Sequence, residues 1–401
     1  MVRILELGSD GDDVKFLQDR LNEALPSALS PLLVDGDFGP VTLGRVNEYQ
    51  GDHRLAVNGV VGPVTWTNVL GHTVAETPGF FVLGRQFYDY EGTRVLLRGV
   101  NKMSVFEQQE DQVGQISFPE IKKTGANTVR IVWRKAVNDP PESTDPEVLK
   151  GLIHQAKTNR LIPMIELHDA TGDWSKLDEL VDYWEQKSKM LTQHDQYLLL
   201  NIGNEVGDWD VTRSQFVEGY TSAVQRLRAV GIKTPLVIDA AGWGQDLNLL
   251  NQSAADLLAA DPEGNLVFSV HIYWSEKDEP GSVPTRIQRA VDLGYPLIIG
   301  EFSAYGAYAG EGVSICSEAG KVDYRAVLEA CHQHEIGWYA WEWGPGNGYQ
   351  NEKGEGDPKC VVMDMTPDRK FADIKPGWAH EVAVSSPYGI QKTAVTPSWM
   401  T

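Results

Sequence analysis

The chain has 401 residues, of which 42% are hydrophobic and 23% are charged, which is the composition of a folded globular protein. Its 35 basic and 56 acidic side chains give a net charge of −21. We therefore expect neither nucleic acid nor a membrane as a partner, because phosphate groups repel such a chain and no uncharged apolar run reaches membrane-spanning length. The length favours two domains.

The first part of the chain contains a short internal repeat. The sequence VDGDFGPVT of Val34–Thr42 recurs as VNGVVGPVT in Val57–Thr65. In each copy an Asp-Gly or Asn-Gly turn is followed by Gly-Pro, where a helix can begin. Upstream, Val14, Leu17 and Leu21 are spaced as on one face of an amphipathic helix. We predict a small all-α module of about three helices, too short to bury a large core alone.

These turns, together with Leu7–Ser9 and the helix ending at Asn22, resemble the peptidoglycan-binding-like domain found beside many cell-wall hydrolases. The resemblance implies such a domain over residues 1–71, with cell-wall glycan as its partner. A module that only packs against a second domain is the alternative. Residues 72–79 are polar, contain proline and are interpreted as a linker.

From residue 80 onward, short apolar runs alternate with helical patterns, which is typical of a parallel β/α architecture. We predict eight strands: Val95–Asn101, Asn127–Trp133, Leu161–His168, Tyr197–Glu205, Thr234–Ala240, Leu266–Tyr273, Pro296–Phe302 and Ile336–Trp343. The helical patterns between them include Glu147–Asn159, Leu177–Leu191, Arg213–Val230, Val283–Leu293 and Tyr324–His334. The fold class is therefore α/β, a (β/α)8 TIM barrel over residues 80–378, preceded by the all-α module. Residues 379–401 lack periodicity and are expected to lie on the surface as a tail.

Polar or aromatic side chains end almost every predicted strand. Active sites of such barrels lie at the carboxyl ends of the strands. Glu205 and Glu301 end the fourth and seventh strands, which face each other across the barrel mouth. Two carboxylates about 5–5.5 Å apart are the pair that a retaining glycosidase uses as acid/base and nucleophile. Two glutamates that only form salt bridges are the alternative.

Seven segments, in chain order, resemble family-5 glycoside hydrolases over nearly all of residues 80–375. They are NTVRIVW, IELHDATG, NIGNE, DAAGWGQD, FSVHIYW, IIGEF and GWYAWEW, which begin at Asn127, Ile165, Asn201, Asp239, Phe268, Ile298 and Gly337. The resemblance implies Glu205 as acid/base and Glu301 as nucleophile. HDATG and GWGQD are similar to bacterial β-1,4-mannanases, which implies retaining endo-hydrolysis of mannan or glucomannan. No metal and no organic cofactor is expected.

Further strand-end residues are candidates for supporting these two glutamates. Arg130 is suited to stabilise the charge of the nucleophile, and Tyr273 to position it by a hydrogen bond. Asn204 is suited to bond the sugar 2-hydroxyl in the transition state. His168 and His271 are candidates for binding hydroxyls or tuning the protonation of the acid, with a packing role as the alternative for each.

Tryptophans are candidates for sugar stacking, because their flat apolar rings match the faces of sugars. Trp341 or Trp343 is expected to form the floor at the cleavage point, with Trp343 nearer the top of the strand. Five more lie at or after strand ends and are candidates for further subsites, with packing as an equal alternative: Trp133, Trp174, Trp209, Trp243 and Trp274.

Several alternatives stay open. A β-1,4-glucanase, a chitosanase and a transglycosylase would use the same pair, and a non-catalytic carbohydrate-binding protein would use none of this chemistry. The sequences Val206–Trp209 and Ser303–Tyr305 depart from the mannanase pattern, as does a polar insertion at Asn347–Val361. We expect a secreted or cell-wall-associated protein, although the first residues are not a secretion signal. Cys316, Cys331 and Cys360 leave at least one thiol unpaired within the chain.

Overall fold

The computed structural model describes residues 4–25, 30–70, 79–89, 94–135, 144–194, 196–276, 280–306, 320–345 and 363–397. Most of the predicted linker, the insertion at 347–361, Cys316 and Cys360 lie outside these residues. The chain divides into two compact units, Met1–Val95 and Leu96–Thr401. Within the described ranges, no helix combines the length and apolar character needed to cross a membrane.

The first unit contains the predicted helical module. Its helices are α1 (Asp12–Ala24), α2 (Pro40–Asp52) and α3 (Pro63–Leu70), followed by an antiparallel hairpin of β1 (Phe81–Leu83) and β2 (Gln86–Tyr88). Phe81 and Tyr88 of the hairpin bury their rings with Ile4 and against Val60. The unit therefore extends past the predicted boundary at residue 71 as far as Val95.

The sequence repeat of this module has a matching pair of buried glutamines. The Gln18 amide donates to the Asp35 side chain at 2.8 Å and accepts from the Gly36 backbone at 3.0 Å. Gln50 makes the corresponding bonds with Asn58–Gly59, both at 3.0 Å. Each glutamine satisfies the backbone of one turn, which explains why the turn sequence occurs twice.

The second unit is a closed barrel of eight parallel strands, so the predicted TIM barrel is confirmed. The barrel strands are β3 (Arg98–Lys102), β4 (Thr128–Trp133), β5 (Ile162–Leu167), β6 (Leu199–Asn201), β7 (Leu236–Asp239), β8 (Leu266–Ile272), β9 (Leu297–Phe302) and β10 (Gly337–Ala340). The last strand, β10, pairs with the first, β3, and closes the barrel. Nearly all strand residues are buried, because helices cover the outside of the sheet.

The helices of this unit connect the strands, except for the last two, which follow β10. They are α4 (Gln108–Asp111), α5 (Ser117–Lys123), α6 (Pro146–Thr158), α7 (Leu177–Leu191), α8 (Arg213–Ala229), α9 (Leu247–Ala260), α10 (Ser282–Asp292), α11 (Tyr324–Gln333), α12 (Trp378–His380) and α13 (Ile390–Thr393). Side-chain caps begin several of them. Thr212 and Gln215 form a reciprocal capping box at α8, and Asp145 caps α6 ahead of Pro146.

The described part of the predicted tail, residues 379–397, is not confined to the surface, so that prediction was wrong. Ala379, Val382 and Ile390 are buried in the barrel unit's core. Arg98, at the start of β3, donates to the Thr393 hydroxyl at 3.0 Å. The segment changes from α12 through a π-helical turn to α13, so its apolar residues follow no single period.

Replacement of Ile390 tests this packing. Ile390→Ala is expected to lower the free energy of unfolding by about 2–4 kcal/mol, because it leaves a cavity in a closed core. Val395→Ala is the matched control, since Val395 is 60% exposed, and should change it by about 0.5 kcal/mol or less. Guanidinium unfolding of the full chain, followed by near-UV circular dichroism, measures both. Equal stability of the two variants would contradict the buried placement.

Candidate active site

The two predicted glutamates meet at the carboxyl ends of the strands. Glu301 lies within β9, and Glu205 lies four residues beyond the end of β6. One oxygen of each carboxylate and a ring nitrogen of His271 all lie within 4.8 Å of one another. A bulge between Val270 and His271 sets His271 opposite Glu301 in the ladder. The site therefore holds two carboxylates and an imidazole in one small, mostly buried volume.

Glu301 receives two strong donors. Arg130 donates from Nη1 to Glu301 Oε1 at 2.8 Å, and the Tyr273 hydroxyl donates to Oε2 at 2.9 Å. Burial, followed by the charge of Glu301, raises the pKa of Tyr273 far above its usual value. The phenol therefore stays protonated and remains a donor. Both donors favour the ionised form of the carboxylate that they hold.

Arg130 is wholly buried, and all three of its nitrogens donate hydrogen bonds. Besides Glu301, it contacts Asn101 at 2.9 Å, Asn201 at 2.8 Å, Asn204 at 2.8 Å and Asp239 at 3.3 Å. Burial alone would lower the pKa of Arg130, but the surrounding carboxylates raise it above its ordinary value. The guanidinium therefore remains a cation, and it links its own strand, β4, to β3, β6, β7 and β9 at the mouth of the barrel.

Glu205 has an unusual backbone conformation. Its φ of 47° lies in the left-handed region, which non-glycine residues rarely adopt. Its N–H donates to Asp239 Oδ2 at 3.1 Å, and its carbonyl accepts from Gly172 N at 2.8 Å. These bonds hold the strained residue, and strain of this kind gathers at functional sites.

The protonation of Glu205 is set by opposing effects. Burial raises the pKa of Glu205, a hydrogen bond from His271 lowers it, and the nearby Glu301 charge raises it again. The net result is a pKa above the ordinary carboxyl value. Glu205 thus keeps its proton to higher pH than an exposed glutamate does.

His271 lies between the carboxylates, with Nδ1 2.7 Å from Glu205 and 3.5 Å from Glu301. Burial alone would lower the pKa of His271, but Glu301, Asp239 and the hydrogen bonds raise it to about 10. His271 is therefore an imidazolium at neutral pH. Among the residues that the structure describes, Glu205, His271 and Glu301 form the group suited to a metal. A metal needs a neutral imidazole, so this set fits hydrogen bonding better than metal binding.

Asp239 is a site residue that the sequence reasoning missed. Besides the Glu205 backbone, it accepts from Arg130 and from the Asn201 amide at 3.2 Å. Burial favours its neutral form, but His271 and Arg130 lower the pKa of Asp239 to about 2. Asp239 is the last residue of β7. It lies inside an apolar run that we predicted as the strand Thr234–Ala240. A charged residue within a buried strand was the available signal.

His168 and Asn204 also lie at the mouth. His168 Nδ1 is 2.9 Å from buried Glu166, so this histidine bonds to Glu166 rather than to Glu205. Asn204 accepts from Arg130 through its oxygen, while its amide nitrogen donates to Thr171 at 2.9 Å. The amide of Asn204 is thus oriented by contacts on both sides.

The two candidate floor tryptophans differ in position. The Trp341 ring lies nearly parallel to His168, with centroids 6.0 Å apart. Trp343 is wholly buried and donates to the Arg369 carbonyl at 3.0 Å, so the polar edge of its indole is satisfied inside the protein. Its backbone N–H bonds the Asn101 carbonyl of β3 at 2.9 Å, three residues after β10 ends at Ala340.

The five subsite candidates divide into packing residues and exposed residues. Trp133 and Trp274 are buried and donate to Tyr183 and Gln245, so they pack instead of lining a subsite. Trp174 is partly buried against Phe216 and Tyr220. Trp209 and Trp243 are 52% and 42% exposed.

Comparison with known proteins gives two family matches. Residues 88–347 match the family described as cellulase (glycosyl hydrolase family 5), and residues 10–68 match a peptidoglycan binding domain. For the smaller match, the zinc D-Ala-D-Ala carboxypeptidase of Streptomyces albus G is 37% identical over 65 residues, 16% of this chain and 25% of that protein.

The barrel unit has relatives of substantial coverage. A mannan endo-1,4-beta-mannosidase of Salipaludibacillus agaradhaerens is 32% identical over 268 residues, which is 66% of this chain and 81% of the relative. The mannohexaose complex of Thermomonospora fusca beta-mannanase superposes with a TM-score of 0.67 at 31% identity, over 80% of this chain and 99% of that one. With the family match over most of the barrel, these findings show that the chain belongs to glycosyl hydrolase family 5.

Proposed function

We propose that this protein is a retaining endo-β-1,4-mannanase that hydrolyses mannan or glucomannan with Glu301 as nucleophile and Glu205 as acid/base. The observation that carries the proposal is the carboxylate pair, with one oxygen of each within 4.8 Å of the other. Retaining enzymes hold their carboxyl groups about 5–5.5 Å apart, whereas inverting enzymes need about 6.5–9.5 Å to admit a water.

The surroundings of the two groups assign their roles. Arg130 and Tyr273 both donate to Glu301, which favours the anion that a nucleophile must be. Among the described residues, His271 is the side chain that bonds the Glu205 carboxyl, and burial raises the pKa of Glu205, as a proton donor requires. Two chemically identical carboxyls thus receive opposite tasks from their environments.

In the first step, a Glu301 oxygen attacks the anomeric carbon and forms a glycosyl ester. The bond to the leaving oxygen breaks, and that oxygen takes the proton of Glu205. In the second step, ionised Glu205 removes a proton from water, and the hydroxide attacks the same carbon and expels Glu301. Two inversions give net retention, and Glu205 ends protonated as it began.

Further residues contact the sugar in this proposal. Trp341 forms the floor under the unit being cleaved, and His168 lies beside it with a partly exposed ring. Asn204, oriented by Arg130 and Thr171, is the donor for the 2-hydroxyl. Bonds to this hydroxyl strengthen as the transition state gains oxocarbenium character.

Mannan is proposed because the compared relative and solved structure are both mannan-degrading enzymes by name, at 32% and 31% identity. A β-1,4-glucan is the second candidate, since the matching family is described as cellulase. Both polymers have the linkage that the pair would cleave. We also propose that the first unit binds cell-wall glycan, and that the protein works outside the cell, because residues 10–68 match a peptidoglycan binding domain.

Reducing-sugar release tests the substrate. The wild type is expected to act on glucomannan and galactomannan, and Glu301→Gln should lower the rate by about 10⁴-fold, because no covalent intermediate can form. Glu147→Gln is the control, since that side chain is 74% exposed on α6. Proton NMR of the first product should show the β-anomer. Release from carboxymethylcellulose, mixed-linkage glucan, xylan or chitosan alone would reject mannan, and an α-anomer would reject the retaining mechanism.

The pH profile tests the role of Glu205. Its pKa is raised by burial, and His271 opposes that rise, so loss of the imidazolium raises the pKa of Glu205 further. Activity needs protonated Glu205 and declines as pH rises through this pKa. His271→Asn should therefore lower kcat and move the alkaline limb of kcat/KM to higher pH. His154→Asn, at an exposed position on α6, is the control. An unchanged or lowered alkaline limb would count against Glu205 as the acid.

Retention on insoluble cell wall tests the first unit. The full chain is expected to sediment with purified peptidoglycan, and a chain that starts at Leu96, the beginning of the barrel unit, should stay in the supernatant. Soluble mannan activity of the two should agree, which controls for folding of the shorter chain. Equal sedimentation of both chains would reject a binding role for the first unit.

A further inference from the structure

Two exposed indole rings lie on the loops that follow β6 and β7. Trp209 is 52% exposed and Trp243 is 42% exposed. Tryptophan is frequent in binding surfaces, and apolar rings grouped on neighbouring loops point to an interaction site more than single scattered ones do. The catalytic chemistry proposed above uses neither ring.

Both rings are fixed against glycine backbones. A methyl group added at Gly172 would come within 2.5 Å of the Trp243 ring, and one at Gly242 within 2.8 Å of the Trp209 ring. Both glycines have positive φ, 72° and 62°. The absent side chains leave room for the indoles to lie directly on the main chain, so the rings are held in place before any ligand arrives.

The loops that hold the rings also hold Glu205. The Gly172 N–H donates to the Glu205 carbonyl at 2.8 Å, and the Trp243 N–H donates to the Gly207 carbonyl at 3.1 Å. The Gly244 Cβ position would lie 3.0 Å from Glu205 Cγ. The main chain that carries and supports the two indoles thus forms one hydrogen-bonded rim around the proposed acid.

This placement determines which sugars the rings can meet. The acid protonates the oxygen between the unit bound to Glu301 and the leaving chain, so the leaving chain extends past Glu205. Trp341, on the loop after β10, lies beside His168, whose backbone N–H bonds the β4 strand. The two indoles instead lie on and against loops that contact Glu205 through Gly172 and Gly244, and the oxygen that Glu205 protonates belongs to the leaving chain.

We propose that Trp243 and Trp209 form a two-ring platform for the leaving-group sugars, with Trp243 nearer the cleaved bond. The inference rests on the proposed function and deepens it. The ligand is a β-1,4-linked oligosaccharide, whose apolar C–H faces stack on the indoles. In the second step the same platform can hold an acceptor sugar. Its hydroxyl oxygen then bonds the anomeric carbon, its proton goes to Glu205, and Glu301 leaves.

The test compares two leaving groups on the full chain. Mannohexaose has leaving-side sugars, whereas 2,4-dinitrophenyl β-mannobioside has none and needs little help from an acid. Trp209→Ala and Trp243→Ala should each lower kcat/KM for mannohexaose by about three- to tenfold. The double variant Trp209→Ala/Trp243→Ala should lower it by about the product of the two single effects. The loss on the aryl glycoside should be much smaller. Phe in place of each Trp should restore part of the oligosaccharide rate.

Leu293→Ala is the control, because Leu293 is 53% exposed and is the C-cap of α10, four residues before β9 begins and so at the opposite end of the strands. It should leave both rates unchanged. Equal losses of kcat/KM on the two substrates would overturn the platform. Such a result is expected if the rings bind the sugars on the Glu301 side or only stabilise the fold, because both substrates would then be affected alike. Unaltered oligosaccharide rates would overturn it as well.

The same pair of measurements is made with cellohexaose and 2,4-dinitrophenyl β-cellobioside. If the protein cleaves only the two cello-oligosaccharide substrates, mannan is rejected as the substrate. The comparison of the two leaving groups then still tests the platform. A wild type that cleaves neither series would overturn both proposals. An added mannotriose acceptor gives a second readout: transglycosylation products should fall in the double variant, and an unchanged yield would contradict the platform.

Discussion

The buried guanidinium of Arg130 is the interaction on which the site depends. Taking a cation and its carboxylate partners out of water costs several kcal/mol per ion in general, and this cost is recovered only when every donor is satisfied. Here one nitrogen holds Glu301 while another reaches Asp239, which in turn holds the Glu205 backbone. The two glutamates are therefore positioned through one shared cation, although they come from strands that are not neighbours.

The electrostatic balance of the mouth follows from this arrangement. Glu301 and Asp239, together with a hydrogen bond to Glu205, offset the burial of His271 and hold it in its charged form. The His271 cation next to Glu205 lowers the pKa of that carboxyl, whereas burial raises it. The proton affinity of Glu205 is thus set by the opposing effects of burial, His271 and Glu301, so a change in any of these surroundings would shift it.

The fold and the central pair could be predicted because they depend on local pattern. Apolar runs ending in a polar residue reveal barrel strands, and Glu205 and Glu301 stand at such ends. What was missed depends on contacts between residues that are distant in sequence. Asp239 lies inside an apolar run, and its role is visible only with Arg130 beside it. The burial of Trp343 could not be predicted either, because its indole bonds the carbonyl of Arg369, which comes from a separate segment of the chain.

The bond between Arg98 and Thr393 joins residues that are 295 positions apart. In synthesis from the amino terminus, β3 is therefore made long before the hydroxyl that its first residue bonds. The Asn127 amide likewise donates to the Val395 carbonyl. Until residues 393–395 have been made, Arg98 and Asn127 lack these two hydrogen bonds, so the packing at this end of the barrel is completed only with the segment that follows β10. That segment thus takes part in assembling a barrel whose proposed active site contains none of its residues.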